Sequence, residues 1–142
     1  MTDGEIDLRP MNAYEPDLSM RLGEIRGFRI CPHGSRREMG QINLRFGESP
    51  GIYYFGHIGY HIDPPYRGHH YAEKALRLVR GICLREGKES VVITTDPDNL
   101  ASRRTCERLG CLTERQVKVP ENLQKKWELS SEKVRYIWVL DP

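Results

Sequence analysis

Apolar and polar positions first alternate with a period near two. "EIDLRPM" reads as a short strand closed by Pro10, and the stretch from Asn12 to about Leu22 leaves room for at most about three helical turns. Two partly alternating runs, Ile25 to Cys31 and Met39 to Phe46, flank a Pro-His-Gly turn and predict a hairpin. After the turn "GESPG", the run "IYYFGHIGYHI" is rich in aromatic and β-branched residues, which predicts a third strand of that sheet. The period then lengthens. Ala72, Ala75, Leu76, Val79, Ile82 and Cys83 fall at helical spacing, in a helix that starts near Gly68 and stops at Gly87. "SVVITT" suits a buried central strand. Asp96 to Asn99 make a turn and a cap, and "LASRRTCERLG" is a short helix with Gly110 as its C′ residue. "LTERQVKVP" and "VRYIWVL" are closing strands, separated by a charged segment from Glu121 to Lys133. Strands that bracket two helices, with a meander first, define an α+β or mixed α/β sheet with helices on its faces.

Size and composition narrow the class. At 142 residues the chain makes one domain, residues 1–142, large enough to bury roughly 68–70% of its unfolded surface. With 38% hydrophobic and 30% charged residues it is expected to be globular rather than disordered or membrane-bound. No apolar run approaches a bilayer span, and the acidic, polar N-terminus lacks a signal-peptide pattern. Cys31, Cys83, Cys106 and Cys111 show no CxxC spacing, so reduced thiols in the cytoplasm are expected. A formal charge of +2 does not point to nucleic acid. Basic residues do crowd 67–88 and 103–108, a pattern that a solvated helix face explains on charge alone.

The stretch "YRGHHYAEKAL" changes that picture. A strand ending at Ile62, a turn through Pro64 and Pro65, and a helix starting near Gly68 form a strand–loop–helix junction. The first turn of a helix carries unpaired backbone N–H groups and the positive end of the dipole, both of which favour a phosphate or pyrophosphate. Gly68 lets the backbone approach such a ligand, and Arg67 adds a forked donor.

"IDPPYRGHHYAEKALRLV" resembles the cofactor-binding motif of the GNAT superfamily of N-acetyltransferases, Arg/Gln-x-x-Gly-x-Gly/Ala, with Arg67, Gly68, His69, His70, Tyr71 and Ala72 in its place. "NLASRRTCERLGC" is similar to the next segment of that family, Asn-x-x-Ala/Ser followed by a helix ending Leu-Gly-Phe. "GHIGYHIDP" and "RYIWVL" resemble a group of predicted acetyltransferases within the superfamily. The resemblance covers Gly56 to Cys111 well and the rest loosely. It implies acetyl-coenzyme A in a cleft where two neighbouring strands splay apart. The pyrophosphate would sit on the backbone amides of His69 to Ala72 and the pantetheine along the main chain of Tyr60, His61 and Ile62, with Asn99 and Ser102 on the other side. The chain departs from the pattern at His70, where the family has glycine. A β-carbon there would crowd the pyrophosphate, or the imidazole would donate to it.

Acetyl transfer to a primary amine needs a base, an oxyanion donor and an acid. An amine with pKa near 10.4 must lose a proton before it attacks. His57 and His61, on the strand leading into the motif, are the candidate bases, sharing one face with Gly59 under simple alternation. A hydrogen-bonded structural role accounts better for either histidine taken singly, and a water chain also accounts for the proton. By resemblance, a backbone N–H of the same strand stabilises the thioester oxygen. The family places a tyrosine acid seven residues after the asparagine, where this chain has Cys106. Cys106 is a candidate acid or a buried hydrophobe, and Tyr53, Tyr54 and Tyr60 are its alternatives. Asn99 also stands where a helix N-cap belongs. No carboxylate or cysteine joins His57, His61, His69 and His70 at a metal-ligand spacing, so no metal is expected.

The acceptor is left open: a small metabolite, an amino acid, an antibiotic or a protein terminus. The short N-terminal region and an exposed "YIWVL" edge strand lead to the expectation of a homodimer. Two other readings compete with the enzyme. One is a catalytically impaired, coenzyme A-binding or regulatory module of the same fold. The other is an interaction protein that uses its basic helix face.

Overall fold

The computed structural model describes residues 1–11, 25–47 and 50–140. The helix expected between Asn12 and Leu22 lies outside them. Strands β1 (Ile6–Pro10), β2 (Ile25–Pro32), β3 (Gly40–Arg45) and β4 (Ile58–Ile62) form an antiparallel meander. A second antiparallel sheet has the order β5 (Ser90–Thr95), β7 (Glu132–Val139), β6 (Leu112–Lys118). Helix α1 (Pro50–Phe55) precedes β4, and α2 (Tyr71–Arg85) and α3 (Leu100–Arg108) flank β5. Helix α4 (Glu121–Trp127) lies between β6 and β7.

The core forms where α2 lies on the meander. Ala75, Leu76, Val79, Ile82 and Cys83 are buried in one cluster with alternate residues of the strands, such as Leu8, Ile30, Ile42 and Ile58. Both helices that bound the site end on glycine in a left-handed conformation. In α3 the amide of Cys111 reaches the Cys106 carbonyl at 3.0 Å and that of Gly110 reaches Glu107 at 3.0 Å, with Gly110 at φ 78°. Helix α2 repeats the arrangement at Gly87. This is a Schellman ending, and it brings the side chains two residues past and three residues inside the helix end into contact. The core predicts a large effect. Leu76 has no exposed surface, so Leu76→Ala should cost about 3 kcal/mol. Thermal unfolding monitored by circular dichroism should then show a midpoint roughly 10 °C lower.

Three expectations from the sequence are corrected. "IYYFGHIGYHI" is not one strand, because its first part is α1 and only Ile58–Ile62 pairs with β3. Gly56 at φ 79° breaks the run after the helix, a conformation that side-chain-bearing residues adopt at a cost. The aromatic residues pack as a helix instead: the Arg135 guanidinium covers the Tyr53 ring, and that of Arg45 covers Phe55. The charged segment after Pro120 holds a helix, α4, which stacks Trp127 against Phe55. Finally, "YIWVL" is not an edge. Strand β7 pairs with β5 on one side and β6 on the other, so the physical ground given for a homodimer is gone. The sheet's terminal strands are β5, which meets the start of β4, and β6, a strand of exposed and mostly polar residues with a register shift at Glu114, features that discourage edge pairing.

Candidate active site

The site lies where the two sheets meet. Pairing between them is confined to the N-terminal end of β4. His57 N–H donates to the Val92 carbonyl at 2.8 Å, Gly56 bridges Ile93, and the Thr94 hydroxyl donates to the Tyr54 carbonyl at 2.8 Å. Beyond His57 the described strands share no ladder, and β4 and β5 part. A cavity of about 190 Å³ opens between them, walled by Gly59 and Tyr60 on one side and Thr94, Thr95 and Asp96 on the other. A larger cavity of about 560 Å³ runs from Tyr60, His61 and Ile62 to the start of α2 and across to α3. Tyr60, Asn99 and Ser102 line both, so the two cavities adjoin at these three residues.

The start of α2 explains the sequence "RGHHYA". Gly68 has φ 91° and His70 φ 62°, so the chain turns through two left-handed residues before the helix. The pattern's glycine at position 70 therefore has a backbone reason. The side chain of His70 makes no cap hydrogen bond, which leaves the first-turn amides open. His70, Tyr71, Ala72, Arg67 and Gly68 all line the larger cavity. His69 stands beside it, its ring 5.4 Å from that of Tyr71. Arg67 folds back, its Nε donating to the Ile62 carbonyl at 2.9 Å. Across the cavity, Arg104 and Arg108 extend from α3. Arg108 bonds Glu73 at 2.7 Å. Partial burial raises the Glu73 carboxyl, but the Arg108 and Arg77 guanidinium groups outweigh it and hold the group below its ordinary range. The one acid in the first turn of α2 is thereby kept neutralised by cations.

A left-handed histidine carries a cost of about 1–2 kcal/mol, of which glycine's greater freedom in the unfolded chain offsets part. His70→Gly should therefore raise the thermal midpoint by about 3 °C. An unchanged midpoint in differential scanning calorimetry would mean that contacts of the imidazole compensate the strain.

The candidate acids and bases separate on this geometry. His57 lines neither cavity. Its Nδ1 accepts from the Val92 amide at 2.9 Å, so the lone pair a base would use is engaged, and the ring completes the ladder where the backbone pairing stops. His61 lines the larger cavity with an exposed side chain whose Nε2 is 3.6 Å from Asp63 Oδ1. Cys106 is fully buried and lines neither cavity. Its contact with Cys111 and its burial push the thiol well above its ordinary range. Asn99 caps α3, its side chain accepting from Ser102 N–H at 3.2 Å.

Tyr60, one of the three tyrosines offered as alternatives to Cys106, is the one that lines both cavities. Its hydroxyl is 2.7 Å from Ser102 Oγ at the junction of the two cavities. Burial and the neighbouring Cys106 raise its pKa above that of an ordinary tyrosine, against the pull of the Ser102 hydrogen bond. The O–H is therefore present throughout the neutral range. Of the other two, Tyr53 lies under Arg135 and Tyr54 packs edge-on against it, and neither lines a cavity.

The family described as "Acetyltransferase (GNAT) domain" matches residues 9–112. The chain belongs to this family. Among solved structures, it is similar to an acetyltransferase from Agrobacterium tumefaciens, 15% identical, with TM-score 0.67 over 97% of this chain and 92% of that one. A Salmonella typhimurium acetyltransferase that modifies the N-terminal serine of 50S ribosomal subunit protein L7/L12 is 20% identical, with TM-score 0.62 over 87% of this chain and 69% of that one. A putative acetyltransferase of the same organism, solved with its cofactor acetyl-CoA, is 19% identical, with TM-score 0.61 over 82% and 65%. At these identities the structures attest the fold. A stretch of 58 residues is also 34% identical to the transposase for transposon Tn2501 of Escherichia coli. It spans 41% of this chain and 6% of that protein, too small a share to carry an argument.

Proposed function

We propose that the protein transfers the acetyl group of acetyl-coenzyme A to a primary amine, and that the acceptor is the α-amine at the end of a polypeptide. The observation that carries the reading is a pair of adjoining cavities, the larger running from an open helix N-terminus to Tyr60 and the smaller beginning there. The acceptor class is supported by the Salmonella typhimurium relative that modifies a protein N-terminus.

The residues fit the cofactor. Backbone amides of the first turn of α2 take the pyrophosphate, with Arg67 and Arg104 as flanking cations. Arg104 has no partner among the described residues, so binding need not break an existing ion pair. Acetyl-coenzyme A supplies the activated thioester carbonyl. The edge of β4 that faces away from β3 offers main-chain donors at the cavity, where a backbone N–H stabilises negative charge on the thioester oxygen. The amine gives up its proton to water, its nitrogen bonds to the carbonyl carbon, and the carbon–sulfur bond breaks. Tyr60 donates its hydroxyl proton to the departing sulfur and is reprotonated from solvent through Ser102. His61, exposed at the mouth of the cleft beside Asp63, is the remaining histidine placed to relay the amine's proton.

The test is a coupled measurement on the full chain. Titration calorimetry with acetyl-coenzyme A should give micromolar binding, and thiol release should depend on an added amine. Binding without amine-dependent release from any of a broad set of peptides and amines would overturn the transferase reading and leave a coenzyme A-binding module.

A further inference from the structure

Asp96 follows the last residue of β5 and forms part of the wall of the smaller cavity. Its Oδ1 accepts from Ser130 Oγ at 2.6 Å and from Lys133 Nζ at 2.7 Å. Its Oδ2 accepts from no described residue. Two donors on a single oxygen, one on the loop after α4 and one on β7, fix the carboxylate while leaving half of it uncommitted. Partial burial works to raise the carboxyl's pKa, but the bonds from Lys133 and Ser130 outweigh it, so the group is a carboxylate at neutral pH. A tie between β5 and β7 would account for the Lys133 pair. It does not account for the pair's place in a cavity wall shared with Tyr60.

The charge balance of that cavity selects among amines. Among the described residues Lys133 is the one cation lining it, and its ammonium already faces Asp96. A free amino acid would bring a carboxylate beside Asp96 with no uncommitted cation to meet it, whereas a peptide end brings an ammonium followed by a neutral amide. Phe55 and Leu129 add an apolar patch for a small first side chain. We infer that Asp96 Oδ2 holds the acceptor's ammonium group before it is deprotonated, and that this carboxylate favours a polypeptide end over a free amino acid. The inference rests on the acetyl-transfer reading above. Asp96 is a specificity-determining residue in it, not the base.

The experiment is calorimetric titration of the full chain, with and without saturating coenzyme A. The probes are alanyl-glycyl-glycine amide, its N-acetylated form and free alanine. The amide should bind, the N-acetylated form should not, and free alanine should bind at least about tenfold more weakly. Asp96→Asn keeps an oxygen for Ser130 and Lys133 but loses the charge, and should weaken the amide by about 10- to 100-fold. Its coenzyme A affinity should be that of the parent, while loss of the charge paired with Lys133 should lower the unfolding midpoint modestly. Equal binding of the amide and its N-acetylated form, equal binding by the parent and Asp96→Asn, or no amide binding at all would each overturn the ammonium site. Tighter binding of free alanine would overturn the polypeptide-end preference. A chain that ignores coenzyme A yet binds the amide through Asp96 would sink the transferase reading and keep the ammonium site. The comparison of the two peptides in the parent holds even if the variant fails to fold.

Discussion

Gly68→Glu should weaken acetyl-coenzyme A binding at least about 100-fold in titration calorimetry. A carboxylate about 5 Å from one phosphate charge costs about 3 kcal/mol at an effective dielectric near 20, equivalent to that factor. A β-carbon at Gly68 meets no protein atom within 4 Å, so Gly68→Ala adds no clash within the fold. Strain can contribute, because φ is 91° there and a side chain in that conformation costs about 1–2 kcal/mol. Gly68→Ala carries the strain without the charge, so it should lower the unfolding midpoint as much as Gly68→Glu while losing less than about tenfold in affinity. Equal affinity losses in the two variants would show that the charge is not near the ligand, and the pyrophosphate would have to sit elsewhere.

Tyr60→Phe should reduce kcat by about 100-fold, the lower end of the range for a lost general acid. Acetyl-coenzyme A affinity should change by no more than about threefold, because the variant keeps the ring and the backbone that line the cleft. Initial rates of thiol release, with calorimetry for the cofactor, separate these quantities. The pH dependence carries a second signature. Burial keeps the hydroxyl protonated beyond the ordinary tyrosine range, so the parent's kcat should show no alkaline fall through neutral pH. A fall near pH 8 would remove Tyr60 from the acid role. A variant that loses stability but keeps kcat would reduce Tyr60 to a packing residue bonded to Ser102.

What the sequence revealed, and what it hid, divides along physical lines. The α2 and α3 cores and both glycine stops were readable because a period of 3.6 and a Gly at C′ are local signals. The partition of "IYYFGHIGYHI" was hidden because its strand propensity is strong, and the cues against it are single residues. "SP" ahead of the run is a helix-start signature, and Gly56 inside it marks the break. The place of β7 between two partners was hidden because strand order is a property of the whole sheet. At the site, the strand–loop–helix junction was legible from "YRGHHYA", as was Asn99 as a cap. The separation of His57, His61 and Cys106 was not, since each depends on what packs across from it: the Val92 amide, Asp63 and Cys111. Asp96 was read only as a turn residue, because nothing local announces that one of its oxygens is held from β7.

The seam between the two sheets has an evolutionary consequence. The larger cavity is built by β4, α2 and α3, whereas the far wall of the smaller one comes from α1, β5, β7 and the loop after α4. Each half closes its own hydrogen-bonded ladder, and the halves are joined at Gly56 and His57. Substitutions on the far wall therefore leave the register of β3 with β4 untouched. A descendant lineage that changes Asp96, Leu129 or Lys133 alters the smaller cavity while inheriting the junction of β4 and α2 unaltered. Such a chain separates what is kept from what is free to vary at one short seam, Tyr54 to His57.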